Sequence, residues 1–220
     1  MADELLDIVR SVSRLAALQR LSILDTPPEA AFDRLTRIAC RMLHAPIGLV
    51  SLVDRDRQFF KACIGLPEPI ASERQTPLSH SFCKHVVGSG KPLVVDDARS
   101  NPLVQMNPAI QLLGIEAYAG IPLTTSDGHV IGSFCVIDSR PRTWSYEDVE
   151  TLQELATCVM HEVEGRKLLR ESEARCRRLE SRLREVDASR SSNLENREFE
   201  RGHREDRGKG DTETQRHRES

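Results

Sequence analysis

The chain lacks an excess of either charge. Its 220 residues carry 31 Lys and Arg against 34 Asp and Glu, a net charge of −3. That balance leaves no basic footprint for nucleic acid and no polybasic patch for an acidic membrane surface. Long apolar runs are missing too, and none approaches the roughly 20 residues a membrane helix needs. The opening MADELLDIVR places acids ahead of any apolar stretch, which argues against a secretory signal. The six cysteines form no CxxC pair. Without an export signal they are expected to be reduced, and most to serve as small buried apolar residues. These absences predict a soluble, cytoplasmic protein with no nucleic acid and no membrane among its partners. What remains, 39% apolar and 30% charged residues, suits one globular domain with charged extensions.

Residues 4–24 read as a helix, because Leu5, Ile8, Val12, Leu15 and Leu18 recur every three or four positions. Pro27 and Pro28 stop it. Thr26 is expected to cap the next helix, about 28–43, with Glu29 as its box partner. Strand grammar follows in IGLVSLVD (47–54), RQFFKACIG (57–65), KPLVVDD (91–97), IEAYAGIPLTT (115–125) and HVIGSFCVID (129–138). Asp127-Gly128 between the last two predicts a hairpin. About five strands, joined mainly by hairpins and interspersed with helices, give an α/β (α+β) layered domain with a mainly antiparallel sheet.

Ser145 and Asp148 form a capping pattern ahead of a helix expected to run to Val186. Beyond Leu168, Leu169, Ser172, Cys176, Leu179, Leu183 and Val186 step by three and four, the seam spacing of a coiled coil. This predicts a parallel homodimer with its seam at Leu169, Cys176, Leu179, Leu183 and Val186. Residues 188–220 hold almost no large apolar side chains and are expected to form a disordered charged tail. The expected division is 1–26 (N-terminal helix), 27–165 (globular domain), 166–187 (coiled-coil extension) and 188–220 (tail).

The stretches RLAALQRLSILDTPPEAAFDRLTRIACRMLHAPIGLVSLVDRDRQFFKACIGL, SHSFCKHVV, PLVVDDARSNPLV and AYAGIPLTTSDGHVIGSFCVIDSRPRTWSYEDVETLQELA follow one another in an order that resembles a GAF domain. The resemblance covers about residues 12–165 and is to the bacterial type found ahead of sensor histidine kinases and diguanylate cyclases. It implies a central antiparallel sheet of five to six strands, with helices on one face and a small pocket on the other. The pocket would be roofed by residues 66–90 and 97–114. It also implies terminal helices that dimerise and pass a signal to a partner, here a separate kinase, cyclase or other effector. His161-Glu162 lacks the Arg-Thr-Pro continuation of a kinase phospho-acceptor box, and no glycine-rich nucleotide loop follows it. The expectation is a sensor-type module without its own output domain.

Cys83 and His85 lie two apart. On a helix they point about 200° from each other, too far to share a metal or a proton. No metal site is expected. Bilin-binding relatives commonly place histidine directly after the attachment cysteine, whereas Lys84 intervenes here. Bilin is therefore not expected. In some GAF domains a histidine holds haem, for which His44, His80 or His85 could serve. A histidine satisfied by a backbone carbonyl is the expected case, and the cofactor is left unknown. The ligand-pocket candidates are Phe60, Ser81, Cys83, Asp97, Asn107, Tyr118 and Cys135. Alternation along EAYAGIP puts Tyr118 on the pocket face. Two readings stay open: a pocket that binds a small molecule, and a cavity filled by these side chains. The sequence predicts no enzyme. Its alternative is a GAF-fold reductase of the methionine sulfoxide type, using Cys63, Cys83 and Cys135.

Overall fold

A computed structural model describes the backbone of residues 2–216 and the side chains of residues 4–185. The elements, in order, are helices α1 (Ala2–Val9), α2 (Val12–Arg20) and α3 (Ala30–Met42), then strands β1 (Ile47–Val53) and β2 (Arg57–Ile64). Helix α4 (Ile70–Glu73), strand β3 (Gln75–Pro77), a 3-10 turn (Leu78–His80), helix α5 (Cys83–Ser89) and strand β4 (Leu93–Val95) come next. Helix α6 (Ala109–Leu113), strands β5 (Ala117–Thr124) and β6 (Val130–Asp138), and helix α7 (Tyr146–Arg216) complete the chain. The strands form one sheet of order β3-β2-β1-β6-β5-β4, antiparallel at every pairing.

Two apolar cores flank the sheet. On one face Leu18 of α2, Phe32 and Ala39 of α3, and Leu152, Val159 and Val163 of α7 pack against Val50, Leu52, Ile121 and Phe134. On the other, Val9 of α1, Val86 and Val87 of α5, and Ala109 and Ile110 of α6 cover Leu49, Val53, Phe60, Tyr118 and Cys135. The second face, where the resemblance implies a small roofed pocket, is covered by α1, α5 and α6.

The helix expected over 4–24 is two helices. The chain turns extended at Ser11 (φ −53°, ψ 129°), so that α1 serves one face of the sheet and α2 the other. Buried Arg14 holds the corner, donating to the Val9 and Val53 carbonyls at 2.7 and 2.8 Å. Thr26 does not cap α3. Its hydroxyl donates to the Ile23 carbonyl, and Glu29, at the N-cap position, pairs with buried Lys61 and with Arg166. β3 is an edge strand that three polar-leaning residues ending in Pro77 did not announce. The Ser145–Asp148 box forms as expected, each backbone N–H donating to the other's side chain at 2.9 and 3.0 Å.

The chain divides into two compact units, residues 1–168 and 169–220. In the second, the described backbone is that of α7 up to Arg216, and Leu169, Leu179 and Leu183 on it are 61, 50 and 63% exposed. Helical backbone extends to Arg216, across most of the segment 188–220 that composition reads as a disordered tail. No proline interrupts it. The side chain of Val186 and those of the tail lie outside the described residues. Among the described residues no helix is long and apolar enough to cross a membrane.

Candidate functional site

The site lies where α5 meets the second face of the sheet. Tyr118 points there from β5, as alternation predicts, with its neighbours Ala117, Ala119 and Ile121 on the opposite face. Its ring lies over Gly120, where a Cβ would stand 2.1 Å from the Tyr118 oxygen. The absent side chain is what lets the ring lie flat along its own strand. The hydroxyl is buried, donating to Cys83 Sγ at 3.4 Å and lying 3.2 Å from Ser133 Oγ. Cys83 Sγ is 3.9 Å from Cys135 Sγ of β6. The Phe82 ring closes the group, its centroid 5.5 Å from that of Tyr118.

A strip of buried polar side chains adjoins this trio. Gln58 of β2 accepts from Ser81 Oγ at 2.6 Å and from Ser51 Oγ at 3.3 Å, and donates to Thr76 Oγ at 2.7 Å. Ser81 Oγ in turn accepts the Lys84 N–H at 3.0 Å and so caps α5, and Asn107 Nδ2 donates to the Ser81 carbonyl at 3.3 Å. Ser51 and Ser133 sit directly opposite each other on β1 and β6. Buried polar groups need partners, and here they find one another. The strip ties the start of α5 and the 97–114 segment to the sheet. Gln58, Ser51, Thr76 and Ser133 were not among the sequence candidates. The available signal was a small polar residue inside each of two otherwise apolar strands, IGLVSLVD and IGSFCVID.

Five candidates, Phe60, Ser81, Cys83, Tyr118 and Cys135, are buried together on this face. Asn107 joins them through Ser81. Asp97 does not. Its carboxylate accepts the Arg99 N–H at 3.0 Å in a turn. Cys63 is half-buried, its Sγ 3.9 Å from the Ala71 carbonyl. His80 is turned outward onto Ser79. Among the described residues no cluster of three or more His, Cys, Asp and Glu is placed to hold a metal. Phe60, Phe82 and Tyr118 are all buried on this face. One surface cleft of about 450 Å³ lies between β5 and α7, lined by Ile121, Met160 and His161, and another of about 550 Å³ lies beside Asn107 and Ile110.

The two sulfurs differ electrostatically. Hydrogen bonds from Cys135 and, against the opposing effect of burial, from Tyr118 draw the Cys83 thiol below its ordinary value. Burial first, and then the neighbouring Cys83, push Cys135 well above the ordinary thiol range. Burial also raises Tyr118, reinforced by both sulfurs, so it stays a hydroxyl donor. Chemically, the arrangement is a pair of close thiols, Cys83 the more acidic of the two, with a fixed donor beside it.

A GAF-domain family profile matches residues 27–163. The chain is 37% identical over 155 residues to a cyclic di-GMP phosphodiesterase of Pseudomonas aeruginosa. That match takes in 67% of this chain and 25% of the relative, so the chain spans only about a quarter of the relative's length. Among solved structures, it is similar to the GAF domain of PixJ from Thermosynechococcus elongatus in its blue-light-absorbing form (TM-score 0.51, 17% identity, 74% of this chain and 95% of that one). It is also similar to the free methionine-R-sulfoxide reductase of Neisseria meningitidis in complex with its substrate (TM-score 0.52, 17% identity, 69% of this chain and 87% of that one). At these identities the likeness is one of fold, shared by a light receptor and an enzyme. With the antiparallel six-stranded sheet between helices and the profile match across most of the globular unit, the chain belongs to the GAF domain family.

Proposed function

We propose that this chain is a regulatory GAF module of a cytoplasmic signalling system. It takes a small molecule or a partner at the α5 face and passes the change to a separate effector through a homodimer of its terminal helices. One observation carries the reading. The polar strip joins β1, β2, β3, α5 and the 97–114 segment through hydrogen bonds that an incoming polar ligand can replace. A ligand that exchanges those bonds shifts α5 and the segment over it at little net cost, since one set of hydrogen bonds substitutes for another. The relationship to a cyclic di-GMP phosphodiesterase supports a place in signalling. The test is native mass spectrometry of the full chain purified from its own host, followed by thermal unfolding with cyclic nucleotides, haem and bilins. A co-purified mass or a raised Tm that Ser81→Ala diminishes is expected. An empty protein whose Tm none of them moves overturns the ligand reading.

A second reading, a thiol reductase, is favoured by the 3.9 Å approach of Cys83 and Cys135 and by the fold likeness to a methionine sulfoxide reductase. Against it stands the burial of both sulfurs, 2% and 0% exposed, behind Phe82 and α5. The expected outcome is no turnover of free methionine sulfoxide. Turnover that Cys83→Ser or Cys135→Ser abolishes establishes the reductase instead.

A further inference from the structure

We propose that Cys83 and Cys135 form a reversible intramolecular disulfide when the chain meets a hydroperoxide, which makes the α5–β6 contact an oxidation-sensing site. This goes beyond the small-molecule reading and holds whether or not a ligand binds.

The geometry supplies each requirement. The sulfurs belong to different elements 52 positions apart in sequence, yet stand 3.9 Å from each other. A disulfide needs about 2.05 Å, so closure asks for a movement of about 2 Å, within the reach of side-chain rotation and a small shift of α5. That helix has seven residues and ends at Gly90 in the left-handed region (φ 65°). A hydroperoxide, smaller than a methionine sulfoxide, gains access through a local opening of this helix. The Tyr118 hydroxyl, 3.4 Å from Cys83 Sγ, is a positioning group that steadies negative charge on that sulfur.

The chemistry balances. The Cys83 thiolate attacks the distal oxygen of the hydroperoxide, the O–O bond breaks, and the alkoxide or hydroxide leaves with the electron pair and takes up a proton. Cys83 is then a sulfenic acid. Cys135 attacks that sulfur, the S–S bond forms, and the sulfenic hydroxyl leaves as water with the proton of the Cys135 thiol. Two thiols lose two electrons and two protons, and the hydroperoxide is reduced to an alcohol (or water) and water. A dithiol reductant reverses the bond by exchange. The mechanical consequence follows from packing. The bond draws the first turn of α5 onto β6, while Gly88 in its last turn lies under Leu5 of α1, where an added Cβ would stand 2.8 Å from Leu5 Cγ. A tilt of α5 therefore moves α1.

The test uses the full chain carrying Cys158→Ser and Cys176→Ser, which removes the two exposed thiols from helix-surface positions. The protein is treated briefly with hydrogen peroxide, denatured, alkylated and digested. The expected product joins the tryptic peptides 75–84 and 100–142, two hydrogens lighter than their sum, and disappears on treatment with dithiothreitol. Cys83 and Cys135 should lose reactivity in a one-to-one ratio. In a further Cys135→Ser variant, Cys83 should be trapped by dimedone as sulfenic acid instead. The proposal is overturned if Cys83 and Cys135 both stay alkylatable after peroxide, or if Cys83 links to Cys40 or Cys63. The mapping on the parent protein decides by itself should the Cys135 variant not fold.

Discussion

Gly120 and Tyr118 share one face of β5, and the tyrosine ring occupies the space a second side chain would take. Gly120→Ala puts a methyl 2.1 Å from the Tyr118 oxygen and within 2.7 Å of its ring. The ring cannot swing into solvent, being 1% exposed under Phe82 and α5. The substitution is expected to cost about 1–3 kcal/mol, the usual range for overpacking. In a Tyr118→Ala background the added cost of the methyl should fall to near zero, because nothing is left to collide with. Urea unfolding of the four proteins measures this, and equal costs in both backgrounds contradict the packing account. Tyr118→Phe is milder. It removes the donor to Cys83 and the partner of Ser133, for about 1–2 kcal/mol. The face of Tyr118 was legible in the sequence because alternation along a strand is local. The sulfur beside its hydroxyl was not, because Cys83 lies 35 positions away on another element and only the packing of α5 onto β5 and β6 brings it there.

Helices show the same divide between local and distant causes. Periodicity located α3 and α7, and it read α1 and α2 as one helix because both keep a spacing of three and four. Nothing in that spacing records that Val9 belongs to one core and Leu18 to the other. Lys61 was illegible for a similar reason. A lysine in a strand reads as solvent-facing, yet its partners Glu29, Thr26 and the Pro27 carbonyl come from the segment before α3. Within α5, the His85 Nδ1 is buried with no hydrogen-bond partner among the described residues. Burial, helped by the charge of Lys84, holds this imidazole down to about 4 from an ordinary 6.5. Between those values the unfolded chain binds a proton that the folded chain refuses. Stability from this group is therefore complete above about pH 6.5 and falls as the pH drops toward 4. His85→Gln should flatten that slope in urea midpoints measured from pH 7 to pH 4.5. A slope equal to the parent's assigns the acid sensitivity to other groups.

At the scale of the whole molecule, the leucines of α7 call for a cover. Leu169, Leu179 and Leu183 are each at least half exposed in the single chain, and full burial of one leucine side chain is worth about 1.5–3 kcal/mol. A second copy offers the same spacing by symmetry. Cys176 stands in that stripe and is exposed, while Cys158, also exposed on α7, belongs to the globular unit and lies off the stripe. In a parallel two-stranded coiled coil, equal seam positions face each other, so Cys176 should meet the Cys176 of its partner. Mild oxidation of the full chain should then give a species of doubled mass on a non-reducing gel. Cys176→Ser should remove that species, and Cys158→Ser should not. Leu179→Glu with Leu183→Glu places like charges across the seam and should turn the dimer into a monomer by sedimentation at micromolar concentration, leaving the thermal unfolding of the globular unit unchanged. Cross-linking that depends equally on both cysteines marks random collision, and a parent protein that sediments as a monomer rules the seam out. Only the second of these results also removes the route by which a change at α5 is proposed to reach an effector, since a monomeric α7 has no partner helix against which to register a shift.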